Sequence, residues 1–202
     1  MKNKIKKLVV LSAILLIPQA VRAQGSNNYQ NWYPQSIALP SGHSYPCALT
    51  ALPSNLEGVP APERAFINHI YAMLLQCVQA KTIMIDSLRR DSAGGFTQSY
   101  GTYYAKTTQA RQKIMAEPVP GGLQGFRDGV VSAIDQQILF FGKASRARSA
   151  GKSFQEIIGY PEGRTASSLL IQAWGAMQSR YPNLSAPVKD SAYHHLCALD
   201  LF

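Results

Sequence analysis

The sequence predicts an all-α protein, a bundle of four or five helices preceded by an extended, proline-rich N-terminal arm. Long segments repeat apolar side chains every three or four residues, which is the spacing of one helix face. Glycine and proline clusters, such as those at residues 94–95 and 118–122, separate these segments. No segment alternates apolar and polar residues over the length of a strand, so a sheet is not expected.

The first 23 residues are typical of an export signal. Lysines within residues 2–7 precede the apolar run 8–17, and Val21 and Ala23 are small residues suited to cleavage before Gln24. The apolar run is too short to span about 30 Å of hydrocarbon. We therefore expect a soluble protein that is exported, periplasmic or secreted, with no transmembrane segment once the signal is removed.

The signal also carries much of the positive charge. It holds five of the 20 basic residues and none of the 11 acidic ones, so residues 24–202 have a net charge of +4 instead of +9. A chain this weakly basic lacks the electrostatic footprint of a nucleic-acid-binding protein, and no nucleic-acid partner is expected. The remaining length suits one domain with a substantial core.

Residues 24–61 are predicted to form an extended arm, partly packed or disordered, ahead of a helical domain at 62–202. Prolines recur from Pro34 to Pro62 and prevent long helices there. Apolar side chains such as Leu49, Leu52 and Leu56 are too numerous for a fully solvated linker. Part of the arm is therefore expected to lie against the helices.

The first helix is predicted from Pro60–Glu63 to about Arg90. Proline suits a first helical turn, and Glu63 complements the positive end of the helix dipole. One apolar stripe follows at helical spacing, formed by Phe66, Ile70, Met73, Leu74, Cys77, Met84, Ile85 and Leu88. Residues 91–95 then favour a turn.

Two further long helices are predicted in the middle of the chain. The second extends from Phe96 or Thr97 to Ala116, and its face is more polar and aromatic, with Tyr100, Tyr103, Tyr104, Thr107, Ala110 and Ile114. The third extends from Leu123 to about Arg148, with Phe126, Val130, Val131, Ile134, Ile138 and Phe141 at helical spacing.

The last part of the chain predicts a short helical turn and two more helices. The turn covers residues 154–158 and is closed by residues 159–163. A long helix opens at Thr165 or Ser167 and ends before Pro182. The final helix begins near Ser185, which can cap it, and continues to the chain end.

Three cysteines in an exported protein predict one disulfide and one free thiol. Cys47 can pair with Cys77 or with Cys197, or the two helical cysteines can pair with each other. Spacing alone does not choose among these three connectivities.

The densest set of titratable groups lies in the final helix. Asp190, His194 and Cys197 share one stripe there, and His195 is adjacent. Zinc would need a further ligand, for which His69 and His43 are the candidates, but no recognised metal-binding spacing is present. The alternative is that these histidines are ordinary groups near a helix C-terminus, which favours their charged form.

A b-type haem is a second cofactor alternative. His69 or Met73 on the first helix would then face a histidine of the last helix across the bundle. The absence of Cys-x-x-Cys-His excludes c-type attachment. Because Met73 lies on an ordinary apolar stripe, it is expected to fill the core, and no cofactor is predicted.

Basic residues cluster where the third helix ends, at Lys143, Arg146, Arg148 and Lys152. They are candidates for holding an anion, and so for weak contact with an anionic surface. The alternative is that they complement the negative end of the helix dipole.

The sequence points away from catalysis. Gly-x-Ser-x-Gly, a phosphate-binding loop and suitably spaced carboxylate pairs are all absent. The leading hypothesis is therefore an exported helical-bundle protein that binds a protein or small-molecule partner. The rival hypothesis is a metal or redox site at the end of the last helix.

Overall fold

The computed structural model describes residue 49 and residues 51–89 and 93–200, and across these residues the fold is all-α. Its helices are α1 (Ala61–Arg89), α2 (Ala93–Ala116), α3 (Gln124–Ser149), α4 (Phe154–Ile158), α5 (Pro161–Arg180) and α6 (Ala186–Leu199). The predicted helical bundle is confirmed, with α4 as a short addition to five long helices. The predicted export signal, His43 and Cys47 lie outside the described residues.

Two helices begin earlier than predicted. α2 starts at Ala93 and includes the two glycines that the sequence analysis placed in a turn, because glycine weakens a helix without forbidding it. α5 starts at Pro161 instead of Thr165 or Ser167. Pro161 costs little in the first turn, where its missing N–H has no helical partner, and Glu162 complements the dipole there.

The first three long helices form an antiparallel array. Ser87 and Ser99 join α1 to α2 through hydroxyls 2.9 Å apart. At the other end of the same pair, Nδ1 of His69 lies 2.8 Å from a carboxylate oxygen of Glu117. α2 is joined to α3 by an ion pair between Arg111 and Asp135, two residues 24 positions apart that no local pattern connects.

α5 packs antiparallel on α3 at very short range. Gly129 on α3 faces Ala173 on α5, and a Cβ at Gly129 would lie only 2.9 Å from the Ala173 Cβ. Near the far end of this contact, Lys143 of α3 pairs with Glu162 of α5. Small residues at the crossing therefore let the two backbones approach closely.

A polar tether joins the start of α1 to the end of α5. The Glu63 carboxylate accepts a hydrogen bond from Nη2 of Arg180 at 2.7 Å and another from the Tyr181 hydroxyl. The guanidinium of Arg180 holds the pKa of Glu63 below its usual value against the opposing effect of burial. This tether holds the N-terminal end of α1 against the C-terminal end of α5.

The apolar interior comprises two clusters. The larger lies between α1, α3, α5 and α6 and includes Ile67, Ile70, Leu74, Phe126, Val130, Ile134, Leu170, Met177, Leu196 and Leu199. The smaller lies where α2 begins and α3 ends, and includes Met84, Phe96, Tyr103, Phe140, Phe141 and Ile157. No described helix combines the length and apolar character needed to cross a membrane.

The described part of the arm lies against α1. The backbone N–H of Leu52 donates to Oδ1 of Asn68 at 2.7 Å, and Nδ2 of Asn68 donates back to the Leu52 carbonyl at 3.1 Å. Leu52 and Val59 are both buried. One side chain of α1 thus satisfies both backbone groups of an arm residue, and this fixes the arm where it reaches the bundle.

Candidate functional site

Aromatic side chains cluster at the surface where α5 and α6 meet; Tyr193 is exposed there, whereas Trp174 is half-buried and packs against the larger apolar cluster. The rings of Trp174 and Tyr193 are 6.0 Å apart between centroids, and the Tyr193 and His194 rings are 6.1 Å apart. Ile171 lies one helical turn before Trp174 and is 63% exposed, the most exposed large apolar side chain described. We call these four residues the outer aromatic face.

The polar surroundings of this face on α5 are uncharged. Ser168, Gln172 and Gln178 lie within one turn of Ile171 or Trp174, and all three are exposed. An apolar and aromatic centre with a polar rim is the usual anatomy of a protein–protein interface. Binding of polyanions instead requires clustered cations.

His195 lies on the opposite side of α6 and points into the bundle. Its ring stacks on Tyr71 of α1, with centroids 4.1 Å apart and planes inclined by 10°. Nδ1 lies 2.7 Å from the Ser191 carbonyl oxygen. Burial lowers the pKa of His195 to about 4, and the neighbouring His194 acts in the same direction. The imidazole is therefore neutral near pH 7.

A buried lysine binds the C-terminal end of α6. Lys81 of α1 is 5% exposed, and its Nζ donates to the carbonyls of Ala198 and Leu199 at 2.8 Å each and to that of Asp200. These carbonyls are the negative end of the α6 dipole. Burial lowers the pKa of Lys81 to about 8, an effect that Asp200 opposes.

Two more helices hold the same end of α6. Nε2 of Gln137 on α3 donates to the Leu199 carbonyl at 2.6 Å. The hydroxyl of Ser167 on α5 donates to Oδ1 of Asp200 at 2.5 Å. α1, α3 and α5 therefore all supply polar side chains to the last turn of α6, and this positions the outer aromatic face.

The structure separates the predicted metal candidates. His195 is buried against Tyr71, whereas Asp190 and Cys197 are exposed and His194 is half-buried on the outer side of α6. His69 is engaged with Glu117 on another pair of helices. Over the described ranges, no group of three or more histidine, cysteine, aspartate or glutamate residues is arranged to hold a metal ion.

The residues suggested for haem ligation have other surroundings. Met73 is buried within the larger apolar cluster, as its place on the stripe indicated. His69 is at the end of the α1–α2 pair beside Glu117, while His195 is stacked on Tyr71 further along α1. Both candidate histidines are thus engaged by protein groups on different sides of α1.

The two described cysteines are free thiols, so the Cys77–Cys197 bridge is not formed. Cys77 faces the interior, where burial raises the pKa of its thiol to about 12, while Cys197 is exposed on α6. The pairings through Cys47 involve a residue outside the described ranges.

The predicted anion-binding cluster is partly engaged within the protein. Lys143 pairs with Glu162, and Nη1 of Arg148 donates to the Lys152 carbonyl at 2.9 Å. Arg146 and Arg148 lie in the last turn of α3, where cations favour the dipole. These contacts agree with the alternative interpretation, in which the basic residues complement the negative end of the α3 dipole.

Sequence reasoning missed Lys81, although a signal was present. Lys81 follows Cys77 by four residues and precedes Met84 by three, so it occupies a stripe position that is otherwise apolar. A lysine placed there must bury its charge or distort the helix packing. Its acceptors are carbonyls of a helix more than 100 residues later, and a local pattern does not reveal them.

Comparisons with protein-family models, curated proteins and solved structures gave no match to this chain.

Proposed function

We propose that this chain is an exported, non-catalytic binding protein that docks a protein partner on the outer aromatic face. The observation that carries the proposal is the paired Trp174 and Tyr193 rings beside the exposed Ile171. Tryptophan and tyrosine are enriched at protein interfaces and among residues that dominate binding energy. Their position on rigid helices limits the entropy lost on binding.

The character of the face supports a protein surface with an apolar centre as the occupant, although on α6 the exposed Asp190 adds a negative charge one turn before Tyr193. The centre offers apolar area, and the exposed amides of Gln172 and Gln178 offer hydrogen bonds at the rim. Three cations of α3, Lys143, Arg146 and Arg148, lie at the end of the helix that contacts α4 and α5 near Glu162, away from this centre. We therefore expect a partner that presents apolar side chains bordered by polar groups.

Site-specific photo-crosslinking in the exported fraction of the source organism tests this proposal. A photoreactive amino acid at Ile171 is expected to capture a discrete partner, because this side chain borders the aromatic pair. Adding Trp174→Ser should abolish the product by removing the central ring. Mass spectrometry of the crosslinked species identifies the partner.

The matched control carries the same photoreactive residue at Leu139 of α3, which is 53% exposed and lies outside the face. Equal products at both positions would contradict a specific docking face. A product of twice the chain mass at position 171 would show self-association instead, and no product at that position would leave the face without a partner.

The rival hypothesis of a metal or redox site is tested separately. Protein purified without a histidine tag is analysed for zinc, copper and iron, and the His194→Ala, His195→Ala double variant is analysed in parallel. Stoichiometric metal that disappears in the double variant would support the rival. Because the outer aromatic face includes His194, the crosslinking variants leave that residue unchanged.

A further inference from the structure

Two polar side chains from different helices converge where α2 crosses the last turns of α3. A Cβ at Gly142 of α3 would lie 3.1 Å from the Tyr100 hydroxyl oxygen and 3.8 Å from Nη1 of Arg146. Both atoms therefore lie within 4 Å of one point. The absence of a side chain at position 142 lets the Tyr100 hydroxyl of α2 reach α3 beside the arginine.

Both groups are donors that the described residues leave available. Among those residues, neither the Tyr100 hydroxyl nor the Arg146 guanidinium forms a hydrogen bond or an ion pair. Arg146 is exposed and Tyr100 is half-buried, so a ligand from solvent can reach them. Burial raises the pKa of Tyr100, and the positive charge of Arg146 only partly opposes this effect. The hydroxyl therefore keeps its proton near pH 7 and can donate it in a hydrogen bond.

The surrounding charges favour an anion. α2 contains no acidic residue, and α3 contains none after Asp135. Asp135 lies two turns before the site and pairs with Arg111. On α5, the carboxylate of Glu162 pairs with Lys143. Since other cations engage these two carboxylates, the charge of Arg146 is left for a ligand.

The composition of the site favours a carboxylate attached to an apolar body. The N–H groups of a guanidinium match the two oxygens of a carboxylate, and one positive charge balances one negative charge. A phosphate group carries nearly two negative charges near pH 7, which a single arginine does not balance. Tyr104 follows Tyr100 by one turn, is 47% exposed, and has its ring centroid 6.1 Å from that of Tyr100. Its ring offers apolar surface beside the two donors.

We propose that Tyr100 and Arg146 bind the carboxylate of an organic acid whose apolar body packs on Tyr104. Hydrogen bonds of about 2.8 Å from the two donors can meet on one carboxylate, because both donors lie close to the same point. The site is formed by α2 and α3, whereas the outer aromatic face is formed by α5 and α6. The proposal therefore does not depend on the proposed protein partner.

A titration followed by two-dimensional ¹⁵N NMR tests the site with 3-phenylpropionate as the probe. The amide signal of Gly142 is expected to shift and to saturate, because this residue lies beneath both donors. The neutral analogue 3-phenylpropanamide should not bind, since it has no negative charge for Arg146. Equal binding of the amide, or no saturation by the acid below about 20 mM, would overturn the proposal.

Variants of the two donors test their roles. Arg146→Gln and Tyr100→Phe are each expected to weaken binding of 3-phenylpropionate about tenfold, the loss expected for one hydrogen bond to a charged group. Arg148→Gln is the matched control, because it removes the same charge from the same end of α3, where Nη1 of Arg148 donates to the Lys152 carbonyl. It should change the affinity by less than about twofold. Equal losses in Arg146→Gln and Arg148→Gln would reduce the effect to general charge and overturn the proposal.

Two further probes define the class of ligand. Inorganic phosphate is expected to bind more weakly than 3-phenylpropionate, and the reverse order would overturn the assignment to a carboxylate. N-acetylphenylalanine carries the same carboxylate and ring in the form of a peptide C-terminus. Tighter binding of N-acetylphenylalanine would assign the site to chain termini, and tighter binding of 3-phenylpropionate would assign it to small free acids.

Discussion

At the scale of single residues, Lys81 is the group whose environment most constrains the structure. Burial of an ammonium is unfavourable unless its hydrogen bonds are satisfied. The carbonyls of Ala198, Leu199 and Asp200 satisfy all three N–H donors and present the negative end of a helix dipole. Since the pKa is nevertheless lowered, desolvation outweighs this stabilisation.

Replacing Lys81 by methionine is therefore predicted to destabilise the protein by about 3 kcal/mol, because buried carbonyls lose a charged donor. Urea denaturation followed by far-UV circular dichroism measures the change. Lys106→Met is the matched control on α2, where the side chain is exposed, and a change within about 0.5 kcal/mol is expected there. Equal losses in both variants would contradict the role of Lys81.

At the scale of helices, the α3–α5 contact depends on the absence of a side chain. Gly129 lies within a helix, where alanine is intrinsically favoured by about 1 kcal/mol. At this position, however, a Cβ would also lie 3.2 Å from the Ala173 Cα, which is backbone and cannot rotate away. Close packing is thus gained at the expense of helix propensity.

Gly129→Ala is predicted to lower the free energy of unfolding by about 1 to 2 kcal/mol, since overpacking exceeds the propensity gain. Thermal denaturation provides the measurement. The control is Gly101→Ala in α2, where a Cβ would have no neighbour within 4 Å. Gly101→Ala should stabilise by up to about 1 kcal/mol. The same sign in both variants would show that the α3–α5 contact tolerates a methyl group.

The arm is connected to α1 through one amide side chain. Asn68→Ala removes the partners of the Leu52 N–H and carbonyl. It is predicted to cost about 2 kcal/mol and to speed proteolytic cleavage within residues 51–60. Gln76→Ala, at an exposed position of the same helix, should change neither quantity. Unchanged cleavage in Asn68→Ala would mean that apolar contacts alone fix this segment.

At the scale of the whole molecule, stability should depend on pH through His195. Its pKa is about 4 in the fold and 6.5 when unperturbed, so the unfolded chain binds more protons between these values. Stability is accordingly lost as pH falls from 6.5 towards 4. The shift corresponds to about 3 kcal/mol.

His195→Phe is expected to remove most of this pH dependence while keeping an aromatic ring against Tyr71. Urea denaturation at a series of pH values from 7 to 4 measures it. His194→Gln is the control, because burial is the main cause of the lowered pKa of His195 and most of the parental pH dependence should persist without the smaller effect of His194. A His195→Phe variant that follows the parental curve would assign the acid sensitivity to other groups.

The helices were the most predictable part of the molecule because their apolar side chains recur within each segment. α1 extends over Ala61–Arg89, close to the predicted bounds, since its stripe is long and proline marks its start. α5 was predicted too short because proline and glycine at residues 161–163 also suit a turn. The candidate site was less predictable, since the side chains that surround His195 and the end of α6 come from distant helices.

The sequence by itself determined the all-α class, the apolar faces and the approximate bounds of the long helices, because these depend on local periodicity and turn chemistry. Only the tertiary structure decided that His195 points inward while His194 and Cys197 do not. It also placed Lys81 at the end of α6 and Trp174 beside Tyr193. These pairings depend on how helices cross, which is set by packing between residues far apart in the chain.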